Sequence, residues 1–355
     1  MTETARIRTR KALEAIATYK PGKGRPGKVT KLSSNENPFA PLDAVTEAVA
    51  EAATALNRYP DMVSTMLRET LAQTLGLSAE QFVLGNGSCS VIQSLLLAVA
   101  ESGDEVVMPW RSFEAYPILV GVSGATAVPV PLRPDFSHDV EALADAVTDR
   151  TRAVLLCTPN NPTGTPLRRD DLTYLMERVP GDVVVLLDEA YFDFDDPTER
   201  LDGTELIETY PNLIAARTFS KAYGLAGLRV GYAMAQVSTI EEVWKTTVPF
   251  STNALAQVAA LAALGEAEAV GEQVRTIVAE RERVCETLRR AGWQIPDTRA
   301  NFLWIPGEAG RDAVVAACED AAISVRAFPD GVRISIGAPE ENSQLLAALE
   351  GVTPR

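Results

Sequence analysis

The stretch RTFSKAYGLAGLR, Arg217 to Arg229, sets one lysine among small, hydroxylated and glycine residues and places an arginine eight positions beyond it. Leu213 to Phe219 reads as a buried strand, and the glycine-rich residues after Lys221 read as a loop. In open α/β sheets ligands sit beyond the carboxyl ends of strands, and Lys221 falls at such a position. A lysine amine is a poor nucleophile at neutral pH, but a lowered pKa or a standing imine suits it to chemistry on carbonyls and amines. Thr218, Ser220 and Arg229 offer a phosphate monoester hydroxyl donors and one permanently charged fork. Most of the 33 Lys and Arg residues are expected to be solvated surface charge, so it is the setting of Lys221 that singles it out.

Outward from this stretch, residues 40 to 270 alternate short apolar runs with longer amphipathic ones. That is the pattern of an α/β fold with a mostly parallel sheet flanked by helices. The strand candidates are Phe82 to Leu84, Glu105 to Met108, Thr126 to Val130, Ala153 to Cys157, Val183 to Leu187, Leu213 to Ala216 and Val230 to Ala233. Val183 to Leu187 is apolar throughout, as expected for a strand buried on both faces. Helices are expected over Ser90 to Ala100 and Asp171 to Arg178, and one long amphipathic helix over Ala267 to Arg290. After it, NFLWI, a helical Arg311 to Asp320, ISVRAF and GVRISIG suit a small α+β lobe. Residues 1 to 30, basic and rich in Gly and Pro, read as an extended arm. The arm holds a near-match to a phosphate-binding loop, Gly22, Gly27 and Lys28, but Val29 replaces the needed hydroxyl, Pro26 interrupts it and no strand precedes it.

Composition narrows the functional classes. At 355 residues the chain exceeds the usual limit of a single core, so a large domain with a smaller one is expected. Hydrophobic residues make up 46%, and mean hydropathy is +0.01, values of an ordinary globular chain. The start, MTETARIRTR, lacks the apolar core of a secretory signal, and no apolar run reaches membrane-spanning length, so a cytoplasmic protein is expected. A net charge of −15 argues against nucleic acid and anionic lipid as partners. Cys89, Cys157, Cys285 and Cys318 are scattered and read as reduced thiols. His138 is the one histidine, which excludes sites needing two imidazoles; without a GxSxG nucleophile elbow, a Ser-His-Asp hydrolase has no support either.

Three further segments follow strand candidates, where a mostly parallel sheet would bring them together. GNGSCS, Gly85 to Ser90, opens a helix whose N–H groups can hold a phosphate, although Gly and Ser are also favoured in an ordinary turn and cap. TPNNPTG, Thr158 to Gly164, is either a plain turn or a rigid one that aims Asn161 at a phenolic oxygen. DEAYFDF puts Asp188 at the end of the most apolar strand, where a carboxylate is costly unless it faces a cation; a protonated pyridine nitrogen is one. Tyr191 is placed to share the ring oxygen with Asn161. A lysine imine beside a phosphate clamp points to pyridoxal 5'-phosphate as cofactor, with no metal.

The set SNENP, NRYPD, GNGSCS, TPNNPTG, DEAY, SKAYGLAGLR and GVRISIG resembles the fold-type I pyridoxal-phosphate aminotransferases, in particular the histidinol-phosphate and aromatic amino acid branch. The resemblance implies a homodimer and a small domain built from both chain ends, here 31–39 and 271–355, beside a large domain over 40–270. It implies that Lys221 carries the cofactor as a Schiff base and then moves the proton at Cα. Asp188 is assigned to the pyridine nitrogen, Asn161 and Tyr191 to the ring oxygen, and Phe113 to the ring face. Thr218, Ser220, Arg229 and the backbone of Gly87 and Ser88 are assigned to the phosphate. Tyr59 matches a residue reaching the partner's phosphate, Arg333 the arginine that holds the substrate carboxylate, and Asn35 and Tyr19 further substrate contacts.

The resemblance further implies transfer of an amino group between Phe, Tyr or Trp and a 2-oxo acid such as 2-oxoglutarate, ping-pong through pyridoxamine phosphate. Cys89 and Ser90 stand where the phosphate loop commonly carries an acidic pair, a change that backbone contacts survive. The alternatives are a histidinol-phosphate aminotransferase, a threonine-phosphate decarboxylase and a non-catalytic ligand-binding protein. No basic cluster is plainly devoted to a substrate phosphate, apart from Lys20, Lys23 and Arg25 in the arm.

Overall fold

The computed structural model describes residues 8–10, 13, 14, 16, 18 and 29–354. Tyr19, the basic residues Lys20, Lys23 and Arg25, and the Gly22 to Lys28 loop expected within the arm lie outside the described residues. Twelve strands are described: β1 Thr30–Lys31, β2 Phe82–Gly85, β3 Glu105–Trp110, β4 Thr126–Pro131, β5 Thr151–Cys157, β6 Val184–Asp188, β7 Leu213–Thr218, β8 Gly231–Met234, β9 Phe302–Pro306, β10 Ile323–Ser324, β11 Arg326–Phe328 and β12 Gly331–Ser335.

Seven of them form the main sheet in the order β2-β8-β7-β6-β5-β3-β4. All its pairings are parallel except those of β8, which runs antiparallel to both β2 and β7. The reversal is local. Phe219 leads straight into the Lys221 loop, and the chain returns at Gly231 beside Thr218, too soon for a helical crossover.

Successive side chains along the central strands enter two different cores. Val185 and Leu187 of β6 join the cluster with Leu213 and Ala215 of β7, while Leu186 joins the opposite one with Ile214 and Ala216. Because helices cover both faces, neither set can be polar, and so the run is apolar throughout. The expected strands occupy these positions with ends moved by one or two residues. The helix expected at Ser90 starts at Ser88, because the glycine turn before it is tighter than the polar run implied.

A three-stranded antiparallel sheet, β11-β12-β9, packs with the long helix Ala267–Arg290 around its own core, which includes Phe302, Ile305, Ile334 and Val284. Segment 32–35 runs between this sheet and the main one. Ser335 N–H donates to the Leu32 carbonyl at 2.8 Å, and Asn35 N–H donates to Ser335 Oγ at 2.8 Å. β1 pairs in parallel with β10 as a separate two-stranded sheet, just before β11 begins the three-stranded one.

Candidate active site

A cavity of about 270 Å³ opens at the carboxyl ends of β5, β6 and β7, where register sets Cys157 beside Asp188 and Asp188 beside Ala216. Asn35, Ser88, Phe113, Asn161, Asp188, Tyr191, Thr218, Ser220, Lys221, Arg229 and Arg333 all line it. Residues drawn from seven separate segments thus converge on one space: strand ends of the main sheet supply five of them, while Asn35 and Arg333 come from the chain beside β12 and from β12 itself.

One wall is built to hold an anion. Gly87, at φ 77°, turns the chain into the helix Ser88–Val99, whose first N–H groups lie at the positive end of its dipole. A Cβ on Gly87 would run into the Arg229 guanidinium, and one on Gly231 into the Ser88 backbone nitrogen. Arg229 adopts a left-handed backbone, φ 59°, and donates from Nη1 to Ser220 Oγ at 3.1 Å. Thr218 Oγ1 donates to Ser220 Oγ at 3.0 Å and accepts from Ser220 N–H at 3.1 Å. Such a non-glycine residue at positive φ stores strain, and here it brings a guanidinium to the cavity wall beside Ser220 and the turn at Gly87.

The same cavity is lined by a carboxylate and a lysine. Asp188 is buried, and burial pushes its pKa up to about 6, against the lowering by Tyr116, by Ala190 N–H and by nearby Lys221. Tyr116 Oη donates to Asp188 Oδ2 at 2.7 Å, and Ala190 N–H donates to Oδ1 at 3.2 Å. Burial and the Arg333 charge bring the Lys221 amine down to about 8. Its Nζ donates to the Ser34 carbonyl at 3.1 Å. Tyr191 Oη accepts from Asn35 Nδ2 at 2.9 Å, and burial raises its phenol above the ordinary value.

Arg333 reaches in from β12, donating from Nη1 to Asn161 Oδ1 at 2.5 Å and from Nη2 to the Ser33 carbonyl at 2.9 Å. With its oxygen engaged by Arg333, the Asn161 amide presents Nδ2 as the end that can donate to an oxygen acceptor. Cys89 also lines the cavity; burial and the Asp188 charge lift its thiol to about 11, so it stays protonated.

Tyr59 lies apart from this cavity. It is 83% exposed and stacks on Phe250 with ring centroids 4.8 Å apart. Reading the sequence did not single out Tyr116, whose only signal was its place one helical turn beyond Phe113. Nor did it find Arg326, which lines the same cavity and is ion-paired with Glu114 at 2.8 Å. A further cation, beyond Lys221, Arg229 and Arg333, therefore stands in the pocket.

The donors fit pyridoxal phosphate: a buried carboxylate for a cationic ring nitrogen, a hydroxyl and guanidinium cluster on a helix N-terminus for the phosphate, and a lysine of lowered pKa for the aldehyde. A family model described as aminotransferase class I and II matches residues 27–349. The chain is 49% identical over 343 residues to an aromatic amino acid aminotransferase of Thermobifida fusca, covering 95% of each. It is 48% identical over 355 residues to a protein of that name from Streptomyces avermitilis, covering 99% of this chain and 98% of the relative.

Among solved structures, a histidinol-phosphate aminotransferase from Sinorhizobium meliloti in complex with pyridoxal-5'-phosphate matches with a TM-score of 0.90 at 28% identity, covering 99% of this chain and 98% of that one. An aspartate aminotransferase from Thermus thermophilus with maleate, 24% identical and covering 91% of each chain, shares the fold at a TM-score of 0.80. The chain belongs to the class I and II aminotransferase family, enzymes that work through pyridoxal phosphate.

Proposed function

We propose that the enzyme moves an amino group between an aromatic amino acid and a 2-oxo acid such as 2-oxoglutarate, in two half-reactions at one pocket. The observation that carries this reading is the meeting of Lys221, Asp188 and Arg333 in one cavity. Relatives 49% and 48% identical along nearly the whole chain are named for aromatic amino acids, which supports the choice of donor.

When bound, pyridoxal phosphate supplies an electron-withdrawing ring that stabilises charge developing at the substrate Cα. Asp188 would hold the proton of the ring nitrogen, Asn161 and Tyr191 would face the ring oxygen, and Phe113 the ring face. Ser88, Thr218, Ser220, Arg229 and the backbone at Gly87 would hold the phosphate. Lys221, with its amine near 8, is neutral in a useful fraction at neutral pH, so Nζ can accept the proton of Cα. Arg333 would grip the α-carboxylate through two parallel bonds, a pairing that lysine does not reproduce. Asn35 supports Tyr191 and shapes the substrate end.

A second copy of the chain completes the reading. Leu56, Tyr59, Met62, Met66, Val248 and Phe250 are all exposed, an unusual density of large apolar side chains on two neighbouring segments. A homodimer covering them would carry Tyr59 toward the partner's phosphate end. Light scattering on the purified protein should give twice the chain mass, and replacing Tyr59 and Phe250 by Glu should give a monomer.

The donor is tested by single-turnover half-reactions of the holoenzyme with phenylalanine, histidinol phosphate and threonine phosphate. Phenylalanine should react with the highest efficiency. Preference for histidinol phosphate, or release of carbon dioxide from threonine phosphate, would move the enzyme to another branch.

A further inference from the structure

The aromatic-donor reading, on which this inference rests, asks the pocket to seat an uncharged ring, yet besides Arg229 two further arginines line it. Arg326 on β11 and Arg333 on β12 are direct partners across the antiparallel pair, so both side chains stand on the same face of the sheet. Their guanidinium carbons lie 5.6 and 5.8 Å from the centre of the Phe328 ring. The α-carboxylate of a bound amino acid answers one of these charges. A phenyl or indole ring beside the other would leave a desolvated cation facing an apolar group.

Glu114 meets that difficulty. It directly follows the cavity-lining Phe113, and its Oε2 accepts from Arg326 Nε at 3.2 Å and Nη2 at 2.8 Å. The Arg326 side chain is 14% exposed and that of Glu114 29%, so the pair is only partly screened by water. Its partners stand 212 residues apart, one on the loop after β3 and the other on the smaller sheet.

We propose that Glu114 is a specificity-determining residue: by offsetting the charge of Arg326, it lets the pocket that takes a dicarboxylate acceptor also seat an uncharged donor side chain, where an unpaired Arg326 would weight binding toward the second anion. Glu114 is a positioning and charge-balancing group; it neither touches the reacting atoms nor moves a proton.

The test compares affinities of the holoenzyme for 3-phenylpropionate, with one carboxylate, and glutarate, with two, measured as competitive inhibition and as absorbance titration. Glu114→Gln should raise the glutarate to phenylpropionate affinity ratio about tenfold, while Glu114→Asp, which keeps the charge, should stay near the parent value. A ratio that is unchanged or falls in Glu114→Gln overturns the proposal. Should that variant not fold, Arg326→Gln with Glu114 in place should lower the same ratio, and an unchanged ratio again overturns it. Failure of the parent enzyme to turn over phenylalanine, with the inhibitor ratio still shifting, would remove the donor assignment and leave the role of Glu114 standing. Phenylalanine turnover with an unshifted ratio would do the reverse.

Discussion

Asp188 and Glu189 are neighbours at the end of β6, both buried, and they face opposite circumstances. Glu189 Oε2 accepts from Arg217 Nε at 2.8 Å, and Arg217 Nη2 reaches Asp202 Oδ1 at 2.8 Å, while the guanidinium lies 3.6 Å from the centre of the Phe192 ring. Burial alone would weaken the Arg217 charge, but Glu189 and Asp202 more than offset it and hold the guanidinium above its ordinary pKa. Asp188 accepts from a phenol and a backbone N–H, with Lys221 nearby but not bonded to it; burial raises the pKa of both acids, that of Asp188 to about 6. On β7 the division repeats, with Arg217 in the ion network and Thr218 lining the cavity. Alternation along a strand thus turns one residue toward structure and the next toward chemistry. What separates the two acids is whether a cation of the chain is hydrogen-bonded to them.

Four changes would break or sharpen that contrast. The largest effect on activity is expected from Lys221→Ala, which should abolish turnover and covalent cofactor capture while leaving the melting temperature of the cofactor-free protein no lower, since a desolvated amine is removed. Borohydride trapping and calorimetry measure both. Next, Arg217→Met should cost about 3–5 kcal/mol of stability in urea titration, because it strands Glu189 in the interior, whereas Arg217→Met with Glu189→Leu should recover most of it.

Asp188→Asn should do the opposite to stability and lower kcat/KM by on the order of 10²–10³-fold. The sign follows from its raised pKa. From an ordinary 3.8 to about 6 in the folded chain, the carboxyl favours folding below pH 3.8, and that contribution, about 3 kcal/mol, is lost as pH rises through 6. The cofactor-free variant should therefore be the more stable one at pH 7.5 and lack this pH component; a parent protein with equal stability at pH 7.5 would count against an uncompensated Asp188. Smallest of the four, Tyr116→Phe removes one hydrogen bond to a charged group, worth about 1.5–3 kcal/mol. It should weaken cofactor affinity, read by absorbance titration, and raise the Asp188 pKa further, with the fold intact.

Much of this contrast was legible in the chain. Asp188 stands at the end of an apolar run, Lys221 follows another, and both positions follow from strand polarity alone. The long helix Ala267–Arg290 begins and ends where its amphipathic period does. What the chain order hid were partners joined only by folding: Tyr116 with Asp188, 72 residues apart, and Asn35 with Tyr191, 156 apart. Glu114 beside Phe113 reads as solvated charge until β11 is folded against it. The backbone of Arg229 was equally hidden, since no local pattern announces a left-handed arginine. His138 lies in a loop yet is buried, and burial with the Arg133 charge brings its pKa down to about 4.

The two hydrogen bonds that fasten Arg333 to Asn161 and to the Ser33 carbonyl hold the guanidinium in place before any amino acid arrives. A long, rotamer-rich side chain frozen on binding costs roughly 0.5–1.5 kcal/mol, and here that ordering is already complete in the folded protein. In the role proposed for Arg333, recognition of the α-carboxylate should therefore be fast and nearly rigid, leaving whatever adaptation the enzyme needs to the far end of its substrate, where one donor differs from another.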